Sequence, residues 1–166
     1  VQGFRAESDL VTIENIEGHS QNGDRALALN FKGQTSVSTP TFILPSELEM
    51  PGYSLVASPT LYSNQTVRTA LSADKNAEVR LFVRTYDEKD TLSHIDGPIV
   101  SLKAGNSSEQ SWVIPSTGGQ PIGEIGFAYL DETAVTVYLD YLTWDGMPKV
   151  TFSRPSGSGE FPWEPP

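Results

Sequence analysis

Two groups of residues in this 166-residue chain have types and spacings that could do chemistry. The first is a single carboxylate. Asp140 stands inside Tyr138-Leu139-Asp140-Tyr141-Leu142-Thr143-Trp144, a run that otherwise reads as a buried strand. Burying a carboxylate is costly unless a partner compensates it. In a chain with eleven Lys and Arg and no Cys, a bound cation is a natural partner. Pairing with an arginine such as Arg25, or simple exposure to solvent, are the alternatives. The second group is Arg80, Arg84 and Tyr86, at even-numbered positions of one alternating segment, so they project from one face of a strand with Phe82 among them. Their guanidinium forks suit vicinal hydroxyls or carboxylates. Phe82 would offer an apolar platform, and Asp87, Glu88 and Asp90 follow closely in sequence. The bland alternative is a solvated sheet face on which the arginines pair with those acids.

The elements that must position these groups are strands. Arg25 to Phe31 alternates with Leu27, Leu29 and Phe31 on one side, and Glu78 to Tyr86 alternates Val79, Leu81 and Val83 against the arginine face. Thr66 to Leu71, Gln110 to Ile114, Ile122 to Leu130, Thr133 to Trp144 and a short Val150 to Ser153 complete the expected set. The single helix-like window, Pro45 to Met50, is closed after one turn by Pro51. Turn chemistry separates the strands at Asn22-Gly23-Asp24, Pro51-Gly52, Ala73-Asp74-Lys75-Asn76, Asp96-Gly97-Pro98, Gly105-Asn106, Ser116 to Gly119 and Asp145-Gly146. Many short strands at this spacing predict an all-β antiparallel sandwich, a jelly roll. Residues 1–155 are expected to form that one module, and 156–166, with Ser156-Gly157-Ser158-Gly159, read as a linker or cloning scar.

Composition narrows the function. Hydrophobic content of 37% supports a packed core in a single domain. A net charge of -10 disfavours nucleic acid and anionic membranes but leaves a neutral ligand unopposed. Without cysteine there are no disulfides, thiolate metal sites or cysteine nucleophiles. No apolar run approaches the roughly 20 residues of a membrane span, and no signal peptide is seen, so Val1 reads as the edge of an excised module. The histidines are His19 and His94, and no G-x-S-x-G, H-E-x-x-H or P-loop pattern appears. The N-x-[ST] matches at Asn64 and Asn106 are weak, and the glycines at 118 and 119 read as a loop.

Three segments carry a family resemblance. Asn22 to Leu29 looks like the loop and strand near the start of galactose-binding-like jelly rolls, and Val137 to Gly146 resembles their last core strand. Gly119 to Gly126 and the last strand, with Thr151 to Pro155, are similar to a β-sandwich region appended to some bacterial proteins labelled ADP-ribosylglycohydrolases. The likeness spans most of Gly23 to Pro155. The helical hydrolase domain of that family is absent, so its activity does not carry over. The resemblance implies a structural calcium ion held by the late Asp140, by Asn22 to Asp24 of the first loop, and by Glu7 or Asp9 near the N-terminus. One departure is that Phe4 is followed by Arg5, where the family commonly has an acid.

The resemblance also implies a non-catalytic carbohydrate-binding module joined to a catalytic domain and acting outside the cell. Sugar faces pack on aromatic rings, and the ring supply includes Tyr53, Tyr62, Tyr138 and Tyr141. The expected ligand residues are Arg80, Arg84, Tyr86, Trp112, Tyr129 and Trp144. Trp112 shares its side with Ile114, which favours burial, and most of these rings must belong to the core. Two other classes stay open. One is an accessory domain that packs on its own enzyme or another protein. The other is a glycoside-active enzyme using paired carboxylates, with Glu124 a less bland candidate than Asp87, Glu88 or Asp90.

Overall fold

A computed structural model of the chain describes residues 3–41, 61–87, 89 and 91–149. These residues form ten strands and no helix: β1 Arg5–Ala6, β2 Val11–Glu17, β3 Arg25–Phe31, β4 Thr35–Pro40, β5 Thr66–Ala73, β6 Ala77–Tyr86, β7 Leu92–Leu102, β8 Ser108–Val113, β9 Ile122–Tyr129 and β10 Val135–Asp145. They pair antiparallel in two five-stranded sheets, ordered β1-β4-β9-β6-β7 and β2-β3-β10-β5-β8. The chain is therefore an all-β antiparallel sandwich of the jelly-roll class. The expected helix-like window and the short strand at Val150 to Ser153 lie outside the described residues.

Alternation builds the core. Val79, Leu81 and Val83 of β6 turn inward, as do Ile125, Phe127 and Tyr129 of β9 and Leu27, Leu29 and Phe31 of β3. Val137 and Leu139 do the same on β10 until the pairing with β5 slips between Leu139 and Leu142. Beyond that bulge Leu142 and Trp144 face the core, so two residues are spent in turning the inward set by one position.

Four strands carry little signal in the sequence. β1 is too short, β2 and β4 are polar, and β7 contains the expected turn Asp96-Gly97-Pro98. That triplet instead lies inside an eleven-residue edge strand, at the register shift opposite Arg80 and Phe82. An edge position tolerates Pro98, which lies in that register shift without a cross-strand partner on β6. Gly97 is required by contact: a Cβ there would lie 3.1 Å from the Trp112 ring and 3.0 Å from the Leu81 carbonyl.

Gly126 meets a stricter limit. A Cβ on it would lie 2.4 Å from both the Val37 carbonyl oxygen and Phe82 Cζ. Gly126→Ala should destabilise the fold by about 2 kcal/mol or more, since neither the backbone nor a ring packed on the sheet can retreat cheaply. Urea denaturation of the two proteins measures this; equal midpoints would contradict the packing described here.

Candidate functional site

The outward side of the first sheet carries the densest set of polar side chains. On β6, Arg80, Phe82, Arg84 and Tyr86 point away from the core. Their cross-strand neighbours on β9 are Ala128, Gly126 and Glu124, opposite Arg80, Phe82 and Arg84. On the other flank, His94 of β7 stands opposite Arg84, and Asp96 opposite Phe82. Ser36 and Ser38 of β4, whose intervening Val37 is buried in the core, continue the face beyond β9.

Phe82 is outward yet fully buried. With no side chain at Gly126 its ring lies over the sheet. The His94 ring meets it edge-on at 4.4 Å, and the Arg84 guanidinium sits 5.1 Å above it. The expected apolar platform is thus covered by Arg84 and His94.

Arg84 is held on both sides. Its Nη1 donates to Glu124 at 2.9 Å, and its Nη2 reaches Glu7 at 2.5 Å. These three side chains are only 21–26% exposed. Glu7 also accepts from the Ser36 hydroxyl at 2.7 Å. Burial alone would raise the Glu7 carboxyl; its hydrogen bonds to Arg84 and Ser36, with the Arg84 charge, outweigh that and leave it below its ordinary 4.5. Burial likewise opposes the Arg84 charge, but Glu7 and Glu124 prevail and raise its pKa. A second pair lies beside this one: Arg80 Nη1 is 2.8 Å from Asp96, whose other oxygen is 3.4 Å from His94 Nε2. Arg80 Nε is buried with no hydrogen-bond partner among the described residues.

Several expected ligand residues stand elsewhere. Tyr129 is fully buried between the sheets, and its hydroxyl donates to the Thr133 carbonyl at 2.7 Å. Trp112 belongs to the core, packed on Gly97. Inward alternation explains both, and neither can touch a ligand on the outer face. Trp144 is half-buried against the core from β10, in the opposite sheet. Arg80, Arg84 and Tyr86 do share one face, and the arginines' partners are Asp96, Glu7 and Glu124 rather than the expected Asp87, Glu88 or Asp90. Asp87 instead closes its own turn, accepting the amides of Lys89 and Thr91, which lower its pKa. Glu88 and Asp90 lie outside the described residues. The part played by Glu7 had no signal in the sequence, because it depends on β1 pairing with β4.

Of the expected calcium ligands, the structure brings Asn22 and Asp140 together and leaves Glu7 and Asp9 apart from them. Glu7 is on the first sheet with Arg84, and Asp9 is exposed in the turn before β2. Asp140 Oδ2 accepts the backbone amides of Gln21 and Asn22 at 2.8 and 2.9 Å. This ties the first loop to β10, the link an ion was expected to make. Asp24 supplies a backbone carbonyl to Gly18 within that loop. Asp140 Oδ1 is buried and has no hydrogen-bond partner among the described residues. Its neighbourhood is an open cavity of about 440 Å³ also lined by Phe4, Asn15, Arg25 and Tyr141. Among the described residues no three His, Cys, Asp or Glu side chains come together to hold a metal. Among the described residues a cation at Asp140 would thus have to draw its other ligands from neutral oxygens, such as backbone carbonyls, and from water. Arg25, the other partner considered for Asp140, is bonded to Asn15 and Glu17.

No protein-family model matches the chain, and neither does any curated protein sequence. Solved structures do match in fold. The CBM22-1 xylan-binding domain of Xyn10C from Paenibacillus barcinonensis superposes with a TM-score of 0.62 at 10% identity, over 86% of this chain and 85% of that one. A xylan-binding domain from CBM 22 gives 0.60 at 10% identity, over 91% of both chains. The CBM22-1–GH10 modules of Xyn10B from Clostridium thermocellum, complexed with xylohexaose, give 0.59 at 14% identity; this chain covers 26% of that one. At these identities the likeness establishes a shared jelly-roll fold.

The pH dependence of the Glu7–Arg84 pair follows from its direction. Because the folded carboxyl lies below its ordinary value, the pair stabilises the fold at pH above about 4.5 and loses that contribution as pH falls through the depressed value. Wild type should exceed Glu7→Gln in stability at pH 7, and the two should converge in strong acid. A gap that persists unchanged at pH 2 would show that the charge is not its source.

Proposed function

We propose that the chain is a non-catalytic carbohydrate-binding module and that the outward face of β6 and β9 is its ligand surface. One observation carries this reading: Arg80, Arg84, Glu7, Glu124, Asp96 and His94 share one sheet face, on a fold also found in xylan-binding domains. Each arginine is balanced by carboxylates, so the face presents donors and acceptors without a net positive field. That chemistry suits a neutral polyol better than an anion. Tyr86, half-buried at the end of the same strand side, supplies ring surface.

A module of this kind acts outside the cell and raises the local concentration of a linked catalytic domain on its polymer. The non-catalytic reading is supported by the state of the carboxylates: Glu7 and Glu124 are committed to one guanidinium, and Glu7 is held ionised, the opposite of a general acid.

Affinity electrophoresis against soluble polysaccharides, xylan first, tests the proposal. Wild type should be retarded by at least one polymer, and Arg84→Ala and Tyr86→Ala should lose most of that retardation. Retardation by none would move the function to an accessory domain packed against its own enzyme.

Calcium at Asp140 is a separable proposal, supported by the buried, unpartnered Oδ1. Asp140→Ala should cost about 2 kcal/mol through the two lost amide bonds alone. If an ion is also held there, EDTA should lower the melting temperature of wild type and not that of Asp140→Ala. A wild-type melt indifferent to EDTA and to added calcium would remove the ion and leave the amide bonds as the sole tie.

A further inference from the structure

We propose that Glu7 gates the glycan face: its carboxylate holds the Arg84 guanidinium across the sheet, and a ligand binds by displacing it. This rests on the glycan reading above. The geometry shows why the face is closed. Arg84 belongs to β6 and Glu7 follows β1, with β9 and β4 between them. To meet, their side chains must span Gly126 and Ser38. Ser38 is outward-facing yet only 5% exposed. In this arrangement Arg84 has one Nη on Glu124, the other on Glu7 and its plane over Phe82. The best donors of the face are already spent.

Of the two carboxylates, Glu7 is the one able to leave. Glu124 sits in β9, paired on both sides within the sheet. Glu7 follows a two-residue edge strand with two register pairs, Arg5 with Ser38 and Ala6 with Val37, and one further amide bond to Ser36 at 3.1 Å. Phe4, just before β1, is packed on the core against Phe127, but both β1 residues are exposed, so Glu7 can swing away with Phe4 left seated and expose almost no apolar surface. Its departure would free an Arg84 Nη and the Ser36 hydroxyl, with the Ser38 hydroxyl on the same face between them. These form a row of donors and acceptors suited to sugar hydroxyls.

The test compares wild type, Glu7→Gln and Ser36→Ala by affinity electrophoresis on whichever polymer retards wild type, with xylan as the first probe. Glu7→Gln should bind about twofold to fivefold more tightly, the factor that a partly exposed ion pair can withhold. Ser36→Ala removes the other anchor of Glu7 but also a hydroxyl of the opened face, so it should bind less tightly than Glu7→Gln. Equal or weaker binding by Glu7→Gln, with a cooperative melt retained, would overturn the gate and make Glu7 a positioning residue for Arg84. If no polymer retards wild type or either variant, the glycan reading itself fails and the gate with it.

Discussion

Phe82 lying over the bare backbone of Gly126 is the contact on which the outer face depends. An aromatic ring on the solvent side of a sheet would normally be half-exposed. Here the missing side chain at Gly126 lets it lie down, and the Val37 carbonyl and the ring itself leave no room for a Cβ. The ring then sets the height of what lies above it. Arg84 stacks on its surface, His94 meets it edge-on, and from that level the guanidinium reaches Glu124 on one side and Glu7 on the other. A larger residue at 126 would tilt Phe82, raise Arg84 and separate it from both carboxylates.

Charge balance gives that assembly its chemical character. The chain carries a net charge of -10, so an isolated arginine on its surface would be pulled toward whichever acids lie nearest. Arg84 and Arg80 are each matched within the face. Half-buried ion pairs of this kind contribute modestly to stability, because desolvation offsets much of the Coulomb gain. Their more certain effect is geometric: they fix long, rotamer-rich side chains in one arrangement. A ligand meeting this surface encounters groups held in place, of which Glu7 alone has to move for the Arg84 donor to open.

The legible part of the fold was the part governed by alternation. β3, β5, β6, β8, β9 and β10 each set their large inward-facing residues at every second position, whatever small residues lie buried between them, and their positions follow from that period. The illegible strands obey other constraints. β7 runs through Asp96-Gly97-Pro98, a turn by composition, because an edge strand tolerates proline and Gly97 must pass close to Trp112. β1, β2 and β4 are too short or too polar to announce themselves. The same limit decided the site. Arg80, Arg84 and Tyr86 were readable as one face of one strand, whereas Glu7 joins them only through a two-residue pairing. Trp112 and Tyr129 looked like ring surface for a ligand, but residue type alone cannot distinguish the inner from the outer side of a sheet.

Asp140 shows how a correct chemical premise can have more than one structural solution. A carboxylate in a half-buried strand does need compensation, and the search for a charged partner led to calcium or Arg25. The fold supplies two peptide N–H groups from the Gln21–Asn22 segment, which bring no counter-charge but satisfy one oxygen fully. Two amides on a carboxylate oxygen are short, charge-assisted bonds, and they also pin the loop whose glycines at 18 and 23 and whose His19 adopt positive φ. That loop then lays His19 flat on Tyr138 at 3.9 Å, covering the outer side of β10 beside Asp140. The carboxylate's role in organising the loop is thus complete without an ion. Only the buried Oδ1 still calls for a partner, and that single atom bears the whole weight of the calcium proposal.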